Sequence, residues 1–212
     1  MRVIGGRCRG MRLRSVPGME TRPTTDRVRE SLFNILAPWV PGARVLDLFA
    51  GTGALGIEAL SRGAREAVFV ERNPRAVRVL RANLDHTGLA PQAQVRVGDA
   101  VRELARLGRE GRRFDLVFLD PPYGRGLARD ALLALAEAAV VAGEAWVVVE
   151  HSGREEMPER AANLAKARAV RYGDTVLTFY RPTAGSSPTA APEPGALPRD
   201  GQPETGGQEG GA

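Results

Sequence analysis

Between residues 43 and 182 short apolar runs alternate with amphipathic ones, and that alternation leaves few folds open to the chain. Strand-like segments fall at 44–49, 67–71, 94–97, 114–119, 145–150, 168–172 and 175–180. Helix-like stretches at about 53–62, 74–86, 100–107 and 127–141 separate the first five. A strand–helix–strand repeat of this kind builds a parallel sheet with helices on both faces. The last two strand segments meet around Gly173-Asp174, which predicts an antiparallel pair. The expected fold is α/β: a mostly parallel seven-stranded sheet finished by a C-terminal antiparallel hairpin.

The flanks differ from this centre. In residues 1–16 arginines alternate with small or apolar residues around Gly5-Gly6 and Gly10, which predicts a short β-hairpin with one basic face. Residues 1–20 are accordingly expected as a basic N-terminal hairpin and 21–182 as the main domain. A helix is expected over 24–37, capped by Thr24 or Thr25, with Val28, Leu32, Ile35 and Leu36 on one face. Pro38 and Pro41-Gly42 end it. Residues 183–212 hold almost nothing to bury, which predicts a disordered tail.

What the chain lacks narrows the function. No apolar run approaches the roughly 18 residues of a membrane span, and Met1-Arg2-Val3-Ile4-Gly5-Gly6 has no signal-peptide core, so the cytoplasm is the expected location. Cys8 is the only cysteine, and His86 and His151 are not at metal-ligand spacing, so no metal is expected. His86 reads as a helix-end residue, His151 as a minor substrate contact at most, and Trp39 and Trp146 as packing residues. No sustained apolar stripe suggests an interface, so a monomer is expected.

The first strand runs into Asp47-Leu48-Phe49-Ala50-Gly51-Thr52-Gly53-Ala54-Leu55-Gly56. Glycines allow a tight turn and close backbone approach to a ligand, and the following helix start offers N–H donors. Gly51-x-Gly53-x-x-Gly56 also fits a dinucleotide fingerprint. Two features favour S-adenosylmethionine. Asp47 suits a cationic amino-acid end and would repel a pyrophosphate. Gly98-Asp99-Ala100 follows the third strand, where Asp99 can accept from an adenine amine. Glu71 ends the second strand, followed by Arg72, and can hold both hydroxyls of a ribose. Asp47, Phe49, Ala50, Gly51, Thr52, Gly53, Glu71, Arg72, Asp99 and Ala100 are the candidate cofactor residues.

Asp120-Pro121-Pro122-Tyr123 directly follows the strand 114–119. The Asp120 carboxylate and the Pro121 carbonyl can accept both protons of an exocyclic NH2, and the Tyr123 ring can stack on the base carrying it. An exocyclic amine is a poor nucleophile because its lone pair is conjugated with the ring. Two acceptors favour rehybridisation and aim the lone pair outward. Asp120, Pro121 and Tyr123 are therefore the candidate catalytic residues, acting on a base that has left its stack. With the glycine loop, they predict a Rossmann-like class I S-adenosylmethionine-dependent methyltransferase, with S-adenosylhomocysteine as product.

The charge balance fits a nucleic-acid substrate. The net charge is +5, and Lys166 is the only lysine. Arginine pairs bidentately with phosphate, although a GC-rich genome or a hot habitat would also favour it over lysine. Arg2, Arg7, Arg9, Arg12, Arg14, Arg22, Arg27 and Arg29 crowd the first thirty residues.

These motifs together resemble the RsmD family of bacterial methyltransferases. The resemblance covers residues 1 to 182. Its general part is Leu46-Asp47-Leu48-Phe49-Ala50-Gly51-Thr52-Gly53 and Asp120-Pro121-Pro122-Tyr123. Its specific part is Arg2-Val3-Ile4-Gly5-Gly6 with Arg12-Leu13, joined to Arg22-Pro23-Thr24-Thr25-Asp26-Arg27-Val28-Arg29-Glu30 and Phe33-Asn34. The resemblance implies methylation of the N2 amine of a guanine in 16S rRNA, presented on the small ribosomal subunit. It also implies that the N-terminal hairpin touches RNA, and that residues 22–34 lie beside the cofactor and the base pocket. Arg7, Arg9, Arg12, Arg22, Thr24 and Arg27 are the candidate RNA-binding residues. Family members often carry Phe at the position of Tyr123. Three rivals stand beside this reading: a DNA adenine-N6 methyltransferase, a protein-glutamine methyltransferase, and a ribosome-assembly RNA-binding factor with little catalytic duty.

Overall fold

The computed structural model describes residues 1–16, 26–124 and 126–183. The predicted caps Thr24 and Thr25, the candidate Arg22 and the tail from 184 onward lie outside the described residues. The strands are β1 (Arg44–Asp47), β2 (Glu66–Glu71), β3 (Ala93–Val97), β4 (Phe114–Leu119), β5 (Val141–Ser152), β6 (Arg160–Ala161), β7 (Leu164–Tyr172) and β8 (Thr175–Pro182). They form one sheet in the order β3-β2-β1-β4-β5-β8-β7-β6. The first five pair in parallel, and β8, β7 and β6 pair antiparallel. The predicted architecture is present with one correction: the sheet has eight strands, not seven. The extra strand, β6, has two residues, too few to carry a period of two.

The chain passes from β1 outward to β2 and β3, then returns to place β4 on the other side of β1. The strand order therefore reverses between β1 and β4. In open α/β sheets the crevice beyond the C-terminal strand ends at such a reversal is where ligands bind.

Helices α1 (Asp26–Ile35), α2 (Ala54–Ser61) and α3 (Pro74–Thr87) pack on one face, and α4 (Ala100–Arg109) and α5 (Leu127–Glu137) on the other. α1 ends at Ile35, before the predicted 37, and a 3-10 turn over Ala37–Trp39 follows it. α3 is capped by Asn73, whose side chain accepts from Arg75 N at 2.9 Å, and it ends at Gly88. His86 is in its last turn, as expected of a helix-end residue. Trp39 meets Trp146 edge-on at 5.3 Å between centroids, so both tryptophans are packing residues.

α2 is buried on every side from Leu55 to Ser61. The sheet covers one side of it and residues 1–16 cover the other. Val3, Cys8 and Leu13 join the same core as α1, α2 and α3. Here the predicted β-hairpin is corrected. Its ends are joined by a single antiparallel bridge, Arg2 to Arg12, supported by bonds from Val3 N to Met11 O and Leu13 N to Met1 O. No ladder continues, because other partners take the backbone donors. Ile4 N and Gly5 N both donate to the buried Glu58 carboxylate, at 2.7 and 2.8 Å, and Arg7 N donates to Ser61 O. Residues 1–16 are thus a strap laid across α2.

Glu58 is also the anionic centre of a buried ion cluster. It accepts from Arg62 Nε at 2.7 Å and lies 3.9 Å from Arg29 Nε. Arg29 is fully buried and donates to the Arg2 carbonyl and to Asp26 Oδ1. Burial holds the Arg29 guanidinium below its ordinary pKa, against the pull of Glu58 and Asp26.

Candidate active site

Parallel register brings the two sequence motifs side by side. Asp47 at the end of β1 pairs with Phe118 on β4, and Asp120 lies two residues further along that neighbouring strand. On the other flank Leu119 pairs with Val149, which sets Glu150 beside Asp120. The ends of β1, β4 and β5 therefore carry three carboxylates in a row around the strand-order reversal.

The glycine loop is built as a cradle. Gly53 has φ 89°, and a Cβ there would stand 2.2 Å from Leu80 Cδ1. A Cβ at Gly56 would stand 2.2 Å from Phe69 Cε1. The loop's donors already face carboxylates. Gly51 N donates to Glu71 Oε2 at 2.8 Å, and Gly56 N to Asp47 Oδ2 at 3.0 Å. The other Glu71 oxygen accepts from Asn73 N at 2.7 Å, which joins the loop to the start of α3. A pyrophosphate would meet two acids here instead of open N–H groups. A ligand that brings hydroxyl donors and an ammonium fits, and S-adenosylmethionine has that chemistry. Asp47 is 1% exposed, and burial pushes its carboxyl up to about 7, with Glu71 adding to the rise and the Gly56 bond opposing it.

The remaining cofactor candidates lie along the same rim. Phe49 is half-buried, Ala50 is buried and bonded through its N–H to Val70 O, and Thr52 accepts from Asn83 through its carbonyl. Arg72 is exposed after β2. Asp99 caps α4, one oxygen accepting from Arg102 N at 3.3 Å, and Ala100 is buried behind it.

On the amine side, Pro121 is buried and Asp120 and Tyr123 are half-buried. The Tyr123 hydroxyl donates to Glu150 Oε1 at 2.9 Å and lies 3.1 Å from Thr175 Oγ1. Burial first, then the negative charges of Glu150 and Asp120, hold the phenol protonated well above its ordinary range. Sequence reasoning missed Glu150 and Thr175. The signal for Glu150 was its place after Val147-Val148-Val149, the same position that Asp120 holds after β4. His151 does not line the site. It is 4% exposed, its Nε2 lies 2.8 Å from Thr178 Oγ1, and burial lowers its pKa, so it stays neutral inside the sheet.

The RNA candidates divide. Arg12 is exposed on the strap and Arg27 on α1. Arg7 and Arg9 lie where the strap meets Ser61, the end of α2 remote from the glycine loop, and Arg7 donates to Gln92 there.

The family model described as Conserved hypothetical protein 95 matches residues 1–181. The chain belongs to this family, the RsmD family. It is 41% identical to YlbH of Bacillus subtilis over 181 residues, covering 85% of this chain and 98% of that one. It is 39% identical to the Ribosomal RNA small subunit methyltransferase D of Escherichia coli K12 over 184 residues, covering 87% and 91%. Among solved structures, the yhhF protein of Escherichia coli superposes with a TM-score of 0.77 at 39% identity, covering 87% of this chain and 99% of that one. A hypothetical protein of Thermus thermophilus gives 0.76 at 34%, covering 85% and 99%. For an RsmD-family chain the Rossmann-like methyltransferase fold is thereby shown. Among the described residues no helix is long and apolar enough to cross a membrane, and no group of three or more side chains could hold a metal ion.

Proposed function

We propose that this protein transfers a methyl group from S-adenosylmethionine to the exocyclic N2 amine of a guanine in the 16S rRNA of the small ribosomal subunit. The observation that carries the reading is the adjacency of Asp47 and Asp120 on paired strand ends at the strand-order reversal. A cofactor cradle and an amine-holding motif then open into one crevice. The relative from Escherichia coli, whose name states an rRNA methyltransferase, supports an rRNA substrate.

S-adenosylmethionine supplies an electrophilic methyl group on a sulfonium. The chain's own residues do the rest. Glu71 accepts from the ribose hydroxyls through lone pairs that its two backbone bonds leave over. Asp47 faces the ammonium end, and Asp99 the adenine amine. Asp120 and the Pro121 carbonyl each take one N–H of the guanine amine, which localises the nitrogen lone pair. Reaction then needs the nitrogen roughly 3–3.5 Å from the methyl carbon. Positive charge would grow on nitrogen as the N–CH3 bond forms and the sulfonium S–CH3 bond breaks to release S-adenosylhomocysteine, and the Asp120 carboxylate would stabilise it. The proton released after transfer passes to solvent. Tyr123 stacks on the base, its ring fixed by Glu150 and Thr175. Arginines of the strap and of α1, with residues 22–25, hold the RNA.

The test is methyl transfer from labelled S-adenosylmethionine to small subunits lacking the modification, to naked 16S rRNA and to double-stranded DNA. N2-methylguanine on the subunit or its rRNA is expected. Label on DNA adenine alone overturns the substrate, and no label on any of the three overturns the activity.

A further inference from the structure

Ion pairing divides the arginines of this chain unevenly. Around α4, Arg96 pairs with Glu103 and Glu110, Arg106 with Glu103, and Arg112 with Glu66, while Arg102 and Arg109 of the same helix are exposed next to Glu103 and Glu110 in sequence. On α3, Arg75, Arg78 and Arg81 are exposed, and among the described residues none of their side chains has a hydrogen-bond or ion-pair partner. Asp85 is the only acid of that helix. The strap repeats the pattern: residues 1–16 hold five arginines and no acid. Arg12 and Arg14 are exposed there, again without a side-chain partner among the described residues.

Strap and helix are fixed to one another. Arg14 N donates to Asn83 Oδ1 at 2.8 Å, and Asn83 Nδ2 donates back to Arg14 O at 3.1 Å. The same Asn83 amide holds the Thr52 carbonyl of the glycine loop at 3.0 Å. Buried Asn83 therefore ties both the strap and α3 to the cofactor rim. From Arg75 to Arg81 the row runs about 9 Å along the helix axis. A row of that length can reach two neighbouring phosphates of one strand.

We infer that Arg75, Arg78 and Arg81 form a phosphate-binding row on α3 that grips rRNA backbone outside the target nucleotide. The inference rests on the rRNA reading above and extends its footprint to α3. The occupant follows from charge: unpaired guanidinium groups match phosphate bidentately. Contacts of this kind set the register of the RNA and carry no sequence information. The face therefore anchors the substrate while the crevice selects the base.

The experiment compares the full-length Arg75→Gln, Arg78→Gln, Arg81→Gln triple variant with the parent for binding to deproteinised 16S rRNA across a salt series. Affinity is expected to fall about tenfold or more, and the slope of log affinity against log salt to flatten by about two to three. KM should rise while kcat holds. An Arg109→Gln, Arg129→Gln control on the opposite face should match the parent. Unchanged affinity and slope in the triple variant overturns the inference, as does an equal loss in the control. A loss on intact subunits but not on deproteinised rRNA assigns the face to a ribosomal protein and also overturns it. Failure of the parent to bind or methylate rRNA removes the underlying reading instead.

Discussion

The Tyr123 hydroxyl donates to Glu150 Oε1 at 2.9 Å, tying the loop after β4 to the end of β5. Thr175, at the start of β8, stands 3.1 Å from the same hydroxyl. The aromatic ring proposed to stack on the base is thus anchored by its far edge to two further strands. Removing the hydroxyl in Tyr123→Phe takes a donor from the nearly buried Glu150. A loss of about 1–3 kcal/mol in unfolding free energy is expected by urea denaturation, with turnover retained within a few-fold. Tyr123→Ala should lose most of its turnover. Equal activity in the alanine variant removes the stacking role.

Asp120→Ala should lower kcat by about 100-fold or more, the scale of a lost charge-stabilising group at a reacting atom. RNA affinity in a filter-binding assay should stay near the parent's. Near-normal turnover would dismiss Asp120 from the chemistry.

Asp47 should make both stability and cofactor affinity depend on pH. Its carboxyl titrates at about 7 in the fold, against about 4 in an unfolded chain. Between those values the folded chain keeps a proton that the unfolded chain has released. This group's contribution to stability therefore falls as pH rises through that window, on the order of 4 kcal/mol in all, and is lowest above pH 7. Asp47→Asn keeps an acceptor for Gly56 N and cannot ionise. It should be at least as stable as the parent at pH 8, yet bind S-adenosylmethionine about tenfold more weakly by calorimetry. The parent's affinity should rise through pH 7 as the anion forms. A flat profile would argue that Asp47 only secures the Gly56 turn.

Glu58→Ala would strip four contacts at once: the bonds from Ile4 N, Gly5 N and Arg62, and the charge facing buried Arg29. Arg29 keeps Asp26 but loses its buried counter-charge, and breaking a buried ion cluster costs about 3–5 kcal/mol. Denaturation midpoints should drop accordingly, and proteolysis within residues 1–16 should accelerate. A variant with native stability would mean that the strap is held by its apolar side chains alone.

Local pattern determined how much of this was legible in the sequence. The five parallel strands and four crossover helices repeat often enough for period and length to agree, and Asp120-Pro-Pro-Tyr gathers its chemistry in consecutive residues. Glu150 was hidden because its role depends on the register of β5 against β4. Glu58 was hidden because an acid in a short helix ordinarily reads as a surface charge. Only the strap, more than fifty residues away in sequence, makes it a buried acceptor. The strap itself was misread as a hairpin because alternation and paired glycines fit a strand pair equally well. What decided the outcome was the tertiary competitor for its N–H groups.

The seating of the strap also sets an order of events during synthesis. Residues 1–16 emerge before their seats on Glu58, Ser61 and Asn83, which lie between 53 and 69 positions downstream. Contacts so distant in sequence close late, after the loop entropy has been met. Until then α2, buried on every side in the finished fold, has no outer cover. The newborn chain must carry an uncovered helix past the tunnel exit until the strap folds back over it.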